Sequence, residues 1–156
     1  MKKTILALSL LFSSNLFAEE SMPILWNNLA PGPAELPVAT NINKELEGKN
    51  VIIPGFVVPL DGKKGVTRHF LLTPQQGACF HKPPSPENQL IHVEFDTAIA
   101  IPNPQQPIYI SGTLSVKSKQ TGFAKTGYYI KGIEAVAYPV QNLASKTPCD
   151  EEQHQH

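Results

Sequence analysis

Reactive side chains are scarce in this sequence: it holds two cysteines and five histidines in 156 residues. Charge is equally uninformative, with 13 lysines and arginines against 13 aspartates and glutamates. That balance gives no electrostatic reason to expect nucleic acid or an anionic lipid surface as a partner. No apolar run reaches the ~20 residues that a membrane-spanning helix needs. No internal repeat is present, and no second paired-cysteine motif stands beside the first cysteine. A thiol enzyme would use Cys79 as nucleophile and His81 or His92 as its base. No oxyanion-hole motif or third orienting group accompanies them, and a free thiol is vulnerable to oxidation outside the cytoplasm. Catalysis is therefore disfavoured.

The first 18 residues read as a cleavable secretory signal. Lys2 and Lys3 precede a short apolar run from Ile5 to Phe12, and Ala18 supplies a small residue at the cleavage point. The expected product is a soluble periplasmic protein with no membrane span, carrying 11 basic against 13 acidic residues once two lysines are removed. The remaining chain suits one domain. Residues 19–44 form an N-terminal arm, residues 45–140 the domain and residues 141–156 a flexible tail.

The 15 prolines are about twice the usual share and favour short strands with stiff loops. Five strands are expected, over residues 51–60, 66–73, 90–96, 108–116 and 127–140. The first is apolar almost throughout, as in a strand buried on both sides or shared between two sheets, and Pro54-Gly55 predicts a bend or bulge within it. In the second, Val66, Arg68, Phe70 and Leu72 are assigned to one face. In the third, Ile91, Val93 and Phe95 face one way, while His92, Glu94 and Asp96 face the other. Glycines inside strands, at Gly55, Gly112 and Gly132, permit the strong coiling of a small closed barrel. The expected fold is all-β, a five-stranded OB-like barrel, with an open sandwich as the alternative.

One segment concentrates the chemistry. Gly77-Ala-Cys-Phe-His81 carries a thiol and an imidazole two residues apart. On an extended chain both project to one side, with alpha carbons about 7 Å apart. A proline run from Pro83 to Pro86 and a Glu87-Asn88 turn then return the chain to His92. Thiolate and imidazole prefer borderline-soft metals, so Cys79, His81 and His92 are candidate ligands for zinc, with copper a second option. Glu94 shares the face of His92 and is a possible fourth ligand. Cys149, His154 and His156 make the tail a weak metal collector, or simply a solvated charged end. Asn88 and Gln89 are expected to organise the loop through side-chain to backbone bonds. The competing reading is a disulfide between Cys79 and Cys149. It closes a loop of roughly seventy residues and contributes about 4 kcal/mol on the chain-entropy model. The domain is then a metal-free envelope binding module. Both readings stand on the sequence, and metal is preferred because His81 and His92 share the segment with Cys79.

The runs Gly55-Phe-Val-Val-Pro-Leu60, Phe70-Leu-Leu-Thr-Pro74, Gly77-Ala-Cys-Phe-His81, Pro83-Pro-Ser-Pro86, Asn88-Gln89, His92-Val93, Gly112-Thr-Leu114 and Tyr129-Ile-Lys-Gly132 resemble an uncharacterised family of exported bacterial proteins and lipoproteins. The resemblance covers residues 45–138. It implies an accessory role in metal homeostasis beside an ABC-type transport system or its metal-binding partner, by association only. It carries over Cys79, His81, Asn88, Gln89 and His92, and leaves His69 and the tail residues as features of this chain.

Overall fold

A computed structural model describes residues 20–139, apart from 62–64, 78–82, 84, 102 and 123. Strand β1 (Met22–Pro23) and a single helical turn, α1 (Trp26–Leu29), make up the start of the arm, and a 3₁₀ turn follows at Lys44–Leu46. The domain then runs through β2 (Asn50–Pro59), β3 (Val66–Thr73), a second 3₁₀ turn (Glu87–Gln89) and β4 (Ile91–Ala100). It ends with β5 (Ile108–Ser115), a hairpin of β6 (Lys119–Thr121) and β7 (Ala124–Thr126), and β8 (Tyr128–Ala137). Among the described residues no helix is long and apolar enough to cross a membrane.

The main sheet has the order β1-β2-β3-β4-β8-β5, and an additional β2–β5 pairing closes it. Leaving out β1, which is a two-residue addition to the edge, the five long strands form an OB-like barrel. β2 achieves the closure by changing partners midway. Asn50 to Gly55 pair with β5, and Phe56 to Pro59 pair with β3. The apolar character read from the sequence is explained by this sharing, and Pro54-Gly55 falls where one partner gives way to the other. β4 and β8 lie parallel, from Ile91 beside Tyr128 to Glu94 beside Lys131.

Alternation across this closed ladder separates inside from outside. One inward row runs Phe70, Val93, Ile130, Leu114 across four strands, and all four side chains are buried in the core. The next row outward runs Val58, Leu71, His92, Tyr129, Ser115. Two close approaches demand glycine. A β-carbon on Gly112 would lie 2.2 Å from the Lys131 carbonyl oxygen, and one on Gly132 would lie 2.4 Å from the Phe95 ring. Tight curvature between β5, β8 and β4 is possible because neither position carries a side chain.

The alternation predicted for β3 fails at its start. An irregularity between Thr67 and His69 shifts the register against β4. Thr67 is consequently buried, whereas Val66 and Arg68 are exposed. From Phe70 onward the predicted faces hold, with Phe70 and Leu72 in the main core.

Besides the β1–β2 pairing and the Ile24 N–H on the Ile52 carbonyl at 2.9 Å, side-chain hydrogen bonds fasten the arm to the barrel at four places among the described residues. Trp26 donates its indole N–H to the Pro54 carbonyl at 2.7 Å. Asn88 donates to the Asn41 carbonyl at 3.1 Å, and Gln89 to the Trp26 carbonyl at 3.0 Å. Tyr128 is fully buried; its hydroxyl donates to the Leu29 carbonyl and accepts from the Asn43 N–H at 2.7 Å. Burial pushes the Tyr128 hydroxyl above its ordinary pKa, so it remains a neutral donor.

Replacing Tyr128 by Phe removes that oxygen and leaves the Asn43 N–H and the Leu29 carbonyl with only their long mutual bond of 3.3 Å. The expected cost is about 1 kcal/mol, read as a lower denaturation midpoint with faster proteolysis between residues 30 and 44. An unchanged midpoint and unchanged cleavage would show that the Tyr128 hydroxyl does not help to hold the arm.

Candidate functional site

His92 is the second residue of β4 and points outward, yet its exposure is only 2 %. It is covered because a second, smaller apolar cluster forms outside the barrel. Val58, Leu71, Leu90 and Ala124 build it, with Leu60 packed against them. Ala124 comes from the β6–β7 hairpin, which lies over this face as a two-stranded sheet of its own. The hairpin is clipped to the 3₁₀ turn before β4: Lys125 pairs with Glu87 at 3.0 Å, and Gly127 donates its N–H to the Glu87 carbonyl at 2.7 Å.

Polar groups converge on the imidazole. The His69 ring stacks against it, 6.1 Å between centroids and 13° from parallel, and the Tyr129 ring lies 5.7 Å away, tilted by 45°. Lys119, on β6, brings its Nζ to 3.4 Å from His92 Nδ1. An ammonium can only donate, so Nδ1 accepts and the ring proton resides on Nε2. Glu94, in the next outward row, accepts from the Tyr129 hydroxyl at 3.3 Å and lies 3.8 Å from His69 Nδ1. Farther along the face, Lys131 pairs with Asp96, which holds the Asp96 carboxyl below its ordinary pKa.

The site disfavours charge on His92. Burial, then the Lys119 ammonium and, least, His69 together lower its pKa from 6.5 to about 4, with Glu94 opposing them. The ring is therefore neutral at any pH near 7. Tyr129 is shifted upward by burial and by the Glu94 carboxylate beside it, so its hydroxyl remains protonated.

Of the residues singled out in the sequence, the structure places His92 and Glu94 on one face, and Asn88 and Gln89 at the turn that enters β4. Cys79, His81, Cys149, His154 and His156 lie outside the described residues. Among the described residues, no group of three or more histidines, cysteines and carboxylates is arranged to hold a metal ion. His69, Lys119 and Tyr129 are additions that the sequence reading did not assign to the site. The parity of β3 and β8 is compatible with His69 and Tyr129, but only the inter-strand register brings them to His92. Nothing in the sequence announces that Lys119 returns to it.

The suppressed protonation has a measurable consequence. Between pH 6.5 and 4 an unfolded chain binds a proton on His92 that the folded chain refuses, so folding stability declines as pH falls through that interval. The lowering from 6.5 to about 4 corresponds to about 3 kcal/mol at most. Chemical denaturation of the protein in chelator, compared with His92→Phe, should show the wild type losing more stability over this window. Parallel profiles would mean that the ring is protonated in the folded state.

In sequence, a family model described as "Protein of unknown function (DUF3299)" matches residues 26–137. No curated protein matches the chain. Among solved structures, a DUF3299 family protein from Pseudomonas aeruginosa PAO1 is similar at TM-score 0.68 and 26% identity, covering 78% of this chain and 99% of that one. An OBody bound to hen egg-white lysozyme aligns at TM-score 0.37 and 15% identity, over 68% of this chain and 96% of that one. The family match extends beyond the barrel to Trp26, taking in the helical turn and most of the arm, and on it the chain belongs to the DUF3299 family.

Proposed function

We propose that this protein is a periplasmic metal-binding accessory protein that holds zinc, or another soft divalent cation such as copper, through Cys79, His81 and His92. Its action is binding, not turnover. The observation that carries the reading is the neutral state of His92: burial lowers its pKa to about 4, and an uncharged imidazole is the form that ligates metal. The other two ligands are separated from His92 by the proline run, which reduces the entropy lost when the loop is ordered around an ion. Glu94 and His69 supply a carboxylate and an imidazole nearby, 3.8 Å from each other, suited to hold first ligands in orientation. The tail residues Cys149, His154 and His156 add secondary capacity. Export through the N-terminal signal and service to an ABC-type transporter, or to its metal-binding partner, complete the reading.

One observation favours a second reading. Lys119 Nζ stands 3.4 Å from His92 Nδ1, and a resident ammonium opposes an arriving cation. A metal-free envelope binding module, with Cys79 bonded to Cys149, fits that contact.

Zinc titration of the reduced mature protein, followed by native mass and calorimetry, separates the two. One zinc per chain is expected. Cys79→Ser, His81→Ala and His92→Ala should each weaken binding by about tenfold or more. A chain two mass units lighter than the reduced form, with no zinc taken up after reduction, overturns the metal reading in favour of the disulfide.

A further inference from the structure

Strand β8 is held on two sides only over its first half. Tyr128 to Lys131 lie between β4 and β5, but the β4 pairing ends at Lys131. From Gly132 to Ala137 the strand has only β5 beside it among the described residues. The comparable stretch of β2 is covered, since β1 lies along its edge opposite β5 at Val51 and Ile52. The Tyr138 N–H donates to the Pro107 carbonyl at 3.2 Å, and Val136 and Glu134 pair with Tyr109 and Ser111. Backbone groups alternate in direction along an antiparallel pair. Those of Glu134, Val136 and Tyr138 therefore turn to β5, and those of Ala135 and Ala137 turn to the open edge. Ile133, skipped where the register shifts between Ser111 and Gly112, is 65 % exposed, and Val136 is 48 % exposed. An open edge with apolar side chains is a template for another strand.

We propose that this edge pairs with the same edge of a second copy, antiparallel and centred on Ala135, in a two-fold dimer whose sheet runs from one barrel into the other. The register follows from the strand itself. A two-fold axis keeps the outer faces of the two sheets together, so one residue must sit opposite its own copy. Centring on Glu134 or Val136 would bring to the axis backbone groups already turned to β5, and Glu134 would meet its own charge. Centring on Ile133 sets Ala135 against Lys131, which has a strand on either side. Centring on Ala137 sets Ala135 against Pro139, which has no N–H to give. With Ala135 at the axis, large side chains meet small ones: Ile133 faces Ala137 of the second copy, and Tyr138 faces Gly132. Glu134 faces Val136, so no like charges meet. The contact uses the same edge on both copies, so assembly stops at two.

Sedimentation velocity of the reduced mature chain over a concentration series tests this, with reductant present so that neither cysteine can join two copies. A reversible dimer is expected, weak because the contact is short. Val136→Glu and Val136→Lys alter one exposed side chain in opposite senses. The glutamate would face Glu134 of the second copy and weaken the dimer, and the lysine would tighten it. Each shift should be about threefold or more, because the pair occurs twice. Amide exchange at Ala135 and Ala137 in the wild type should slow as concentration rises. That readout needs no variant, so a folding defect in either one leaves the test intact. A dimer that ignores both variants, or shifts the same way in both, overturns this edge as the interface. A monomer at every concentration overturns the second copy as its occupant. Rapid exchange at Ala135 and Ala137 then leaves the edge to a strand of another protein, and slow exchange at every dilution assigns it to residues of this chain beyond 139.

Discussion

Everything in this domain depends on one strand having two partners. β2 pairs with β5 along its first half and with β3 along its second. The sheet thereby becomes a closed surface with an inside and an outside. Closure fixes register, and register fixes parity: a slip by one residue in any strand would carry its apolar set into water. The inward row of Phe70, Val93, Ile130 and Leu114 is held in this way. The outward position of His92 is its necessary complement. The imidazole is therefore on the outer face because the valine beside it must be inside.

Facing outward would ordinarily leave a histidine in water with an unremarkable pKa. Here the outer row begins with Val58 and Leu71, which recruit Leu90 and Ala124 into a second apolar cluster. The hairpin that supplies Ala124 also supplies Lys119. One packing event thus does two things to His92: it removes water, and it delivers a cation to Nδ1. Both disfavour the imidazolium, and the single carboxylate nearby, Glu94, does not outweigh them. The same cover that keeps the ring neutral also withholds it from solvent.

The five long strands were legible because each depends on a local pattern: alternation in β4 and β5, a continuous apolar run in β2, internal glycines where the barrel coils. β3 shows the limit of such reading. Thr67 and Val66 exchange faces at an irregularity that no alternation rule anticipates, because it answers to the register of β4. The β6–β7 hairpin was missed for a different reason. Its strands are three residues each, polar on the exposed side, and too short to show a period. At the site, the sharing of a face by His92 and Glu94 could be read from spacing within one strand. The stacking of His69 and the approach of Lys119 could not, since both depend on pairings between segments far apart in sequence. The placement of Cys79 and His81 lies outside the described residues, so that half of the motif still rests on sequence alone.

The other half of the motif now has a structural account. Asn88 and Gln89 sit in the turn that enters β4, and their side chains point away from His92 toward the arm. They donate to the carbonyls of Asn41 and Trp26. Trp26 is the first residue of the family match, and its indole in turn donates to the carbonyl of Pro54, at the point where β2 changes partners. A chain of bonds therefore links the loop, the arm and the closure of the barrel. Buried amide donors of this kind are costly to leave unmet, which gives each link a defined geometry. The turn before His92 is fixed from one side by the arm and from the other by Glu87, whose carbonyl and carboxylate hold the hairpin. His92 thus emerges from a turn braced on both flanks.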